Sequence, residues 1–160
     1  MNKNKTLIAY ATKSGVTEES ANAISEVLKN KYKFELDLVN LMKTPSPDIK
    51  SYKNIFIGSG IRMGRWYKQA LRFLNGNFDG KNVFIFISSC KAGDPKDYED
   101  AIKQYIENVL VEYPHVKPVE VKASGGRMKI FGKTITDNYD VEKVKSWADE
   151  IGKKLKEKSQ

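Results

Sequence analysis

Three hydroxyl side chains and a glycine crowd into one short stretch near the start of the chain, Ala11-Thr12-Lys13-Ser14-Gly15-Val16-Thr17. An apolar run, Thr6-Leu7-Ile8-Ala9-Tyr10, precedes it. Behind it, residues 18–31 place Ala21, Ile24, Val27 and Leu28 on one face at helical spacing. A helix start presents unpaired amides and the positive end of a dipole, which makes it a natural anion site. Thr12, Ser14 and Thr17 add hydroxyl donors, Gly15 lets the backbone curl close, and Lys13 and Val16 complete the bend. The chemistry is that of holding a phosphate, not hydrolysing one, because the pattern G-x-x-x-x-G-K-[ST] is absent. A capped helix behind an ordinary Ser/Thr turn is the bland alternative, and the apolar strand immediately before the bend weighs against it.

Three further loops carry small residues. Gly58-Ser59-Gly60-Ile61-Arg62-Met63-Gly64-Arg65-Trp66-Tyr67 has glycines that let backbone approach a flat ligand, with Trp66 or Tyr67 to stack on it. Either aromatic is equally suited to helix-core packing. As a dinucleotide fingerprint the stretch fails: Gly58, Gly60 and Gly64 are spaced one residue too wide, and no acidic residue closes the following strand. Ser88-Ser89-Cys90-Lys91-Ala92-Gly93-Asp94 offers small residues and amides to the polar edge of a ring. Cys90 reads as a small hydrophobe more readily than as a redox centre. Ala123-Ser124-Gly125-Gly126-Arg127-Met128 is a permissive turn whose Arg127 either meets a carboxylate or stays solvated. His115 falls at the opposite end of the sheet and receives no role.

The elements that must position these loops alternate along the chain. Strands are expected at residues 6–10, at 34–39, at Asn54-Ile55-Phe56-Ile57-Gly58, at the most apolar run Val83-Phe84-Ile85-Phe86-Ile87, and at 116–121. Tyr67, Ala70, Leu71 and Leu74 mark one helix. Asp94-Pro95 opens another, with Asp as cap and Pro at the first helical position. Val141, Val144, Ala148, Ile151 and Leu155 give a closing amphipathic helix. Strands alternating with helices imply a three-layer α/β sandwich around a five-stranded parallel sheet of order 2-1-3-4-5, in one domain over 1–160. In such sheets ligands sit beyond the carboxyl ends of the strands, where the loops after strands one, three and four meet.

Composition narrows the classes. The 28 Lys and Arg against 20 Asp and Glu leave +8, which favours anionic partners, although much of the excess is lysine spread over helices. Nucleic acid is the weakest of these, for want of an aromatic-lined basic groove. The single cysteine forbids an internal disulfide and fits a reducing compartment. The absence of a signal-like start or a long apolar run makes a cytoplasmic location the expectation. No metal ligand set is legible.

The first bend resembles the T-x-[ST]-G-x-T signature of flavodoxins, with Thr12, Ser14, Gly15 and Thr17 at all four specified positions. That resemblance implies FMN, with its phosphate in the bend. Its ring would lie against Ser59, Gly60, Ile61, Arg62, Met63, Gly64 and Trp66 on one side, with Ser89, Cys90, Lys91, Ala92, Gly93 and Gly126 on the other. The loop at 88–94 lacks the aromatic that flavodoxins often place there, unless Tyr98 reaches back. The stretch Ile57–Gly64 with an aromatic following, and the Gly-Gly-Arg turn, look like the flavodoxin-like protoporphyrinogen dehydrogenase family. Membership there implies oxidation of protoporphyrinogen IX, with a quinone as acceptor. That family carries a basic, aromatic-rich insertion before its last helix, where this chain has only Met128–Thr134. General electron transfer therefore ranks first, and the porphyrin reaction or an NAD(P)H-dependent FMN reductase follows.

In the leading reading the cofactor carries the electrons and no side chain is catalytic. Partners would be a redox protein or a small anionic substrate, with peripheral membrane contact open and the chain a monomer or homodimer. Arg62, Arg65, Lys91 and Arg127 all fall at the expected ring edge. One cation about 8 Å from a reduced anionic ring is worth roughly 2 kcal/mol at an effective dielectric near 20, or about 90 mV.

Overall fold

Alternation with a period of two along three neighbouring strands decides the layers. The structure, a computed structural model, describes residues 5–13 and 15–159. Strand β1 (Thr6–Ala11) pairs in parallel with β2 (Leu36–Asn40) on one side and β3 (Asn54–Arg62) on the other. Strand β5 (Asn82–Ser88) pairs with β3 and with β6 (Glu120–Ser124), which gives the order β2-β1-β3-β5-β6. This is the expected five-stranded parallel sheet of a flavodoxin-like α/β sandwich.

Odd positions Leu7, Ala9, Ile55, Ile57, Val83 and Ile85 are buried against one helical layer. It contains α2 (Lys68–Phe73) and the helix that begins as α3 (Tyr98–Ile102). Even positions Ile8, Tyr10, Phe56, Phe84 and Phe86 are buried against α1 (Val16–Asn30) and α5 (Val141–Lys158). Both faces are covered, so these strands read as continuous apolar runs. Phe56 and Phe84 stack at 4.7 Å, and Trp147 of α5 meets Phe56 edge-on at 5.9 Å. Gly58 has its reason here: a Cβ at that position would lie 2.2 Å from Phe86 Cζ, so this glycine admits a core ring and not a ligand.

Several boundaries differ from expectation. The last parallel strand begins at Glu120, not at residue 116, because Pro118 has no amide to give the ladder. The helix after Asp94-Pro95 does start as anticipated, with the Asp94 carboxylate accepting from Lys96 N. It then widens into a π-helical turn, Lys103–Glu107, before ending as α4 (Asn108–Leu110). Two hairpins were not foreseen: β3 turns back as β4 (Arg65–Trp66), and β7 (Arg127–Ile130) pairs antiparallel with β8 (Lys133–Asp137). The stretch read as a short remnant before the last helix is thus part of a formed hairpin. Among the described residues no helix is long and apolar enough to cross a membrane.

Candidate functional site

A cleft of about 690 Å³ opens at the carboxyl edge of the sheet, where the loops after β1, β3, β5 and β6 converge. Its floor is the junction of two segments. Gly15, at φ +98°, stands at the N-cap of α1 with open space around it. Thr12 and Thr17 are buried beside it, while Lys13 is exposed. Ser14, the fourth hydroxyl or glycine position of the bend, lies outside the described residues. A Cβ on Gly60 would sit 3.1 Å from Thr17 Oγ1 and 3.4 Å from Thr12 Oγ1. The hydroxyl-rich bend therefore faces the glycine segment.

Thr17 is 1% exposed, and its Oγ1 has no hydrogen-bond partner among the described residues. A buried hydroxyl left unpaired costs about 1–3 kcal/mol. Such an atom at the start of a 15-residue helix fits an anionic group with an acceptor oxygen to offer.

The wall formed by the β3–β4 hairpin brings Gly60, Ile61, Arg62, Met63 and Gly64 to the cleft. The Ser59 hydroxyl is engaged within the fold: the residue is fully buried, and the hydroxyl donates to Gly60 O at 2.8 Å and accepts from Tyr67 N. Trp66 is a correction. It is 5% exposed, belongs to the core, and its Nε1 donates to Tyr105 O at 2.6 Å. The aromatics that line the cleft are Tyr67 and Tyr105, the latter on the π-helical turn. No sequence motif singles out Tyr105, which lies on the helix opened by Asp94-Pro95. A one-residue π insertion leaves no mark in the apolar spacing strong enough to read.

From the opposite wall, Ser89, Cys90 and Lys91 line the cleft together with Gly126, Arg127 and Met128. Ala92 and Gly93 do not. They line a neighbouring cavity of about 390 Å³, and so does Tyr98, whose hydroxyl accepts from Ala123 N and does not reach back to the cleft. The short helical turn Cys90–Gly93, capped by Ser89 Oγ, swings these residues away. Burial, and secondarily Asp137, raises the Cys90 thiol above its ordinary range, which disfavours its thiolate form.

Asn138, which carried no motif, organises this wall from behind. Its Oδ1 accepts from Gly126 N at 3.0 Å, and its Nδ2 donates to Cys90 O at 2.7 Å. A Cβ on Gly93 or on Gly125 would fall 2.1 Å from Asn138, and one on Gly126 would fall 2.8 Å from Cys90 N. The three glycines thus let two loops and one amide side chain close into a single unit. A flat ligand need not be their reason.

The four cations expected at the ring edge divide into two pairs. Lys91 bonds Asp100 and Gln104, and Arg127 bonds Asp137 at 3.0 Å and Glu19 at 3.5 Å. Arg127 is therefore already paired with two carboxylates, while about a quarter of its side chain stays exposed at the cleft (26%). Arg62 and Arg65 form no ion pair among the described residues. A reduced anionic ring would consequently feel fewer uncompensated charges than composition suggests.

Against known proteins, a model described as a flavodoxin domain matches residues 7–152. The protoporphyrinogen IX dehydrogenase [quinone] of Escherichia coli (strain K12) is 30% identical over 70 residues, which are 44% of this chain and 38% of that protein. The chain thus aligns with well under half the length of this curated relative. Flavodoxin 2 from Bacillus cereus superposes with a TM-score of 0.63 at 26% identity, covering 96% of this chain and 99% of that one. The Fusobacterium nucleatum flavodoxin bound to flavin mononucleotide gives 0.55 at 18%, covering 94% and 98%.

Proposed function

The chain belongs to the flavodoxin domain family, and on that premise we propose that it holds FMN in the cleft at the carboxyl edge of the sheet and transfers electrons through it. The observation that carries this reading is the sealed, unpartnered Thr17 hydroxyl beneath Gly60, at the start of α1. A phosphomonoester supplies the acceptor that Thr17 lacks. Thr12, the described amides of the bend and the dipole of α1 add further attraction for a dianion.

When bound, FMN supplies the one- and two-electron chemistry that no side chain here can. The protein's own work is placement. Gly60 and Gly64 keep one wall low, and Tyr67 and Tyr105 offer aromatic faces to a flat ring. The Asn138 clamp presents the 89–91 and 126–128 segments as one rigid polar edge. Arg62 and Arg65 set the local field, with Lys91 and Arg127 largely neutralised by their carboxylates. The reduction potential is accordingly expected to lie above that of acidic flavodoxins, by less than four bare cations would give.

The visible absorption spectrum of the purified protein, before and after adding FMN, tests the proposal. Bound flavin should shift and sharpen the yellow band at a one-to-one ratio, and dithionite should bleach it reversibly. A colourless protein that leaves the spectrum of added FMN unchanged would refute it. The partial likeness to the E. coli dehydrogenase favours a second reading, oxidation of a porphyrinogen with quinone as acceptor. Turnover of protoporphyrinogen IX by the FMN-loaded chain with a soluble quinone would establish that activity, and its absence leaves the carrier reading.

A further inference from the structure

Two hairpins flank the cleft and share one construction. The β3–β4 turn is Met63-Gly64 at φ +51° and +78°, and the β7–β8 turn is Phe131-Gly132 at φ +50° and +79°. Two-residue turns with positive φ at both positions match strand twist, and their first position favours Asn, Asp or Gly. Here each first position holds a large apolar L-residue at a steric cost. Neither side chain recovers that cost by packing, since Met63 is 92% and Phe131 102% exposed. The strands of the second hairpin carry Met128, Ile130 and Ile135, each roughly half exposed.

A second unfavourable feature accompanies the first. Arg62 and Arg65 stand directly opposite each other across the β3–β4 ladder, a like-charge pairing that destabilises a hairpin. Lys133 stands opposite Ile130 next to the other tip. Arg62, Arg65 and Lys133 form no ion pair among the described residues. Strain, exposure and repulsion thus converge on the mouth of one cleft, where Met63 and Gly64 enter from one hairpin and Arg127 and Met128 from the other.

We propose that these two tips form a docking surface for an acidic electron-transfer protein, whose cofactor edge is brought over the cleft. This rests on the reading of the cleft as an FMN site. Charge complementarity selects the sign of the partner and speeds encounter. Met, Phe and Arg are the residue types enriched at protein interface centres, and Met adapts its shape to what it meets. A protein fits better than a lipid surface, because the apolar groups are divided between two hairpins around a concavity. The carboxylates of Glu19 and Asp137 also stand at the base of the second hairpin.

The test uses the full chain, with and without FMN, titrated by calorimetry with a plant-type [2Fe–2S] ferredoxin as a small acidic probe. The expected dissociation constant is micromolar at 50 mM salt and at least about tenfold weaker at 200 mM. Phe131→Asn and Met63→Asn relieve the turn strain, so each should keep or raise the melting temperature while weakening docking about tenfold. Arg62→Gln should flatten the salt dependence. Wild-type protein that ignores the ferredoxin, or tip variants that bind it unchanged, would overturn the inference. So would Phe131-dependent capture by phosphatidylglycerol vesicles without ferredoxin binding. Docking by a chain that refuses FMN would sink the cofactor reading and spare the surface.

Discussion

The two ends of the cleft are built on different principles. At the end proposed to hold the phosphate, consecutive residues supply most of the groups: a strand stops, a bend rich in hydroxyls follows, and a helix begins. From far along the chain come the close approach of Gly60 to Thr17 Oγ1 and, a turn further into α1, the Arg127–Glu19 and Ser20–Tyr139 contacts. At the end proposed to hold the ring, short runs far apart in the sequence must be joined. Gly126 and Cys90 are joined by Asn138, 12 and 48 residues away from them. Tyr105 is carried on a π-helical turn whose carbonyl is taken by Trp66, 39 residues earlier. A site of this kind has one end fixed by local chain chemistry and the other by tertiary closure, and the two should fail independently.

The largest separation is expected from Asn138→Ala. It removes two hydrogen bonds worth about 1 kcal/mol each and leaves Gly126 N and Cys90 O without their partner. Affinity for FMN and for riboflavin should fall alike, by about 30-fold, because the ring end alone is loosened. Fluorescence titration with both ligands checks it, and a loss confined to FMN would show that the two ends are not separable. Thr17→Val should act at the other end, with a smaller effect. FMN binding weakens about tenfold, riboflavin binding is unchanged, and the ligand-free protein melts no lower, since an unsatisfied buried hydroxyl has been removed.

The smallest effect concerns the second hairpin. Its anchor is Asp137, whose carboxyl is held below its ordinary range chiefly by the hydrogen bond from Arg127. A depressed folded-state pKa means the contribution is fully present above the ordinary carboxylate range and is lost as pH falls through the lowered value. Hairpin amide shifts followed by NMR should therefore stay constant from neutral pH to about pH 4 and move toward disordered values below it. Arg127→Gln should bring that movement to higher pH; shifts that ignore both acid and the substitution would show that the pair anchors nothing.

What the sequence disclosed follows the same division. The sheet order was legible because β1, β3 and β5 are apolar on both faces, and only a covered parallel sheet explains that pattern. The bend at 12–17 was legible because its residue types and their spacing lie in one segment. Trp66 was not, since an aromatic after a glycine-rich turn suits a ring or a core equally, and its partner carbonyl belongs to another helix. Gly58 and Gly93 were read as room for a ligand, yet they make room for Phe86 and Asn138. A glycine announces that something comes close without saying what. The strand placed at 116 slipped to Glu120 because apolar spacing outweighed the missing amide of Pro118.

The question beneath all of this is whether the bend holds a phosphate. Dissociation constants of the wild-type chain for FMN and riboflavin, which differ only in that group, answer it directly. Several charge-assisted hydrogen bonds to the phosphate require FMN to bind at least about 100-fold more tightly. Equal affinities, or a preference for riboflavin, would mean that the hydroxyls and amides at the start of α1 serve only to cap a helix.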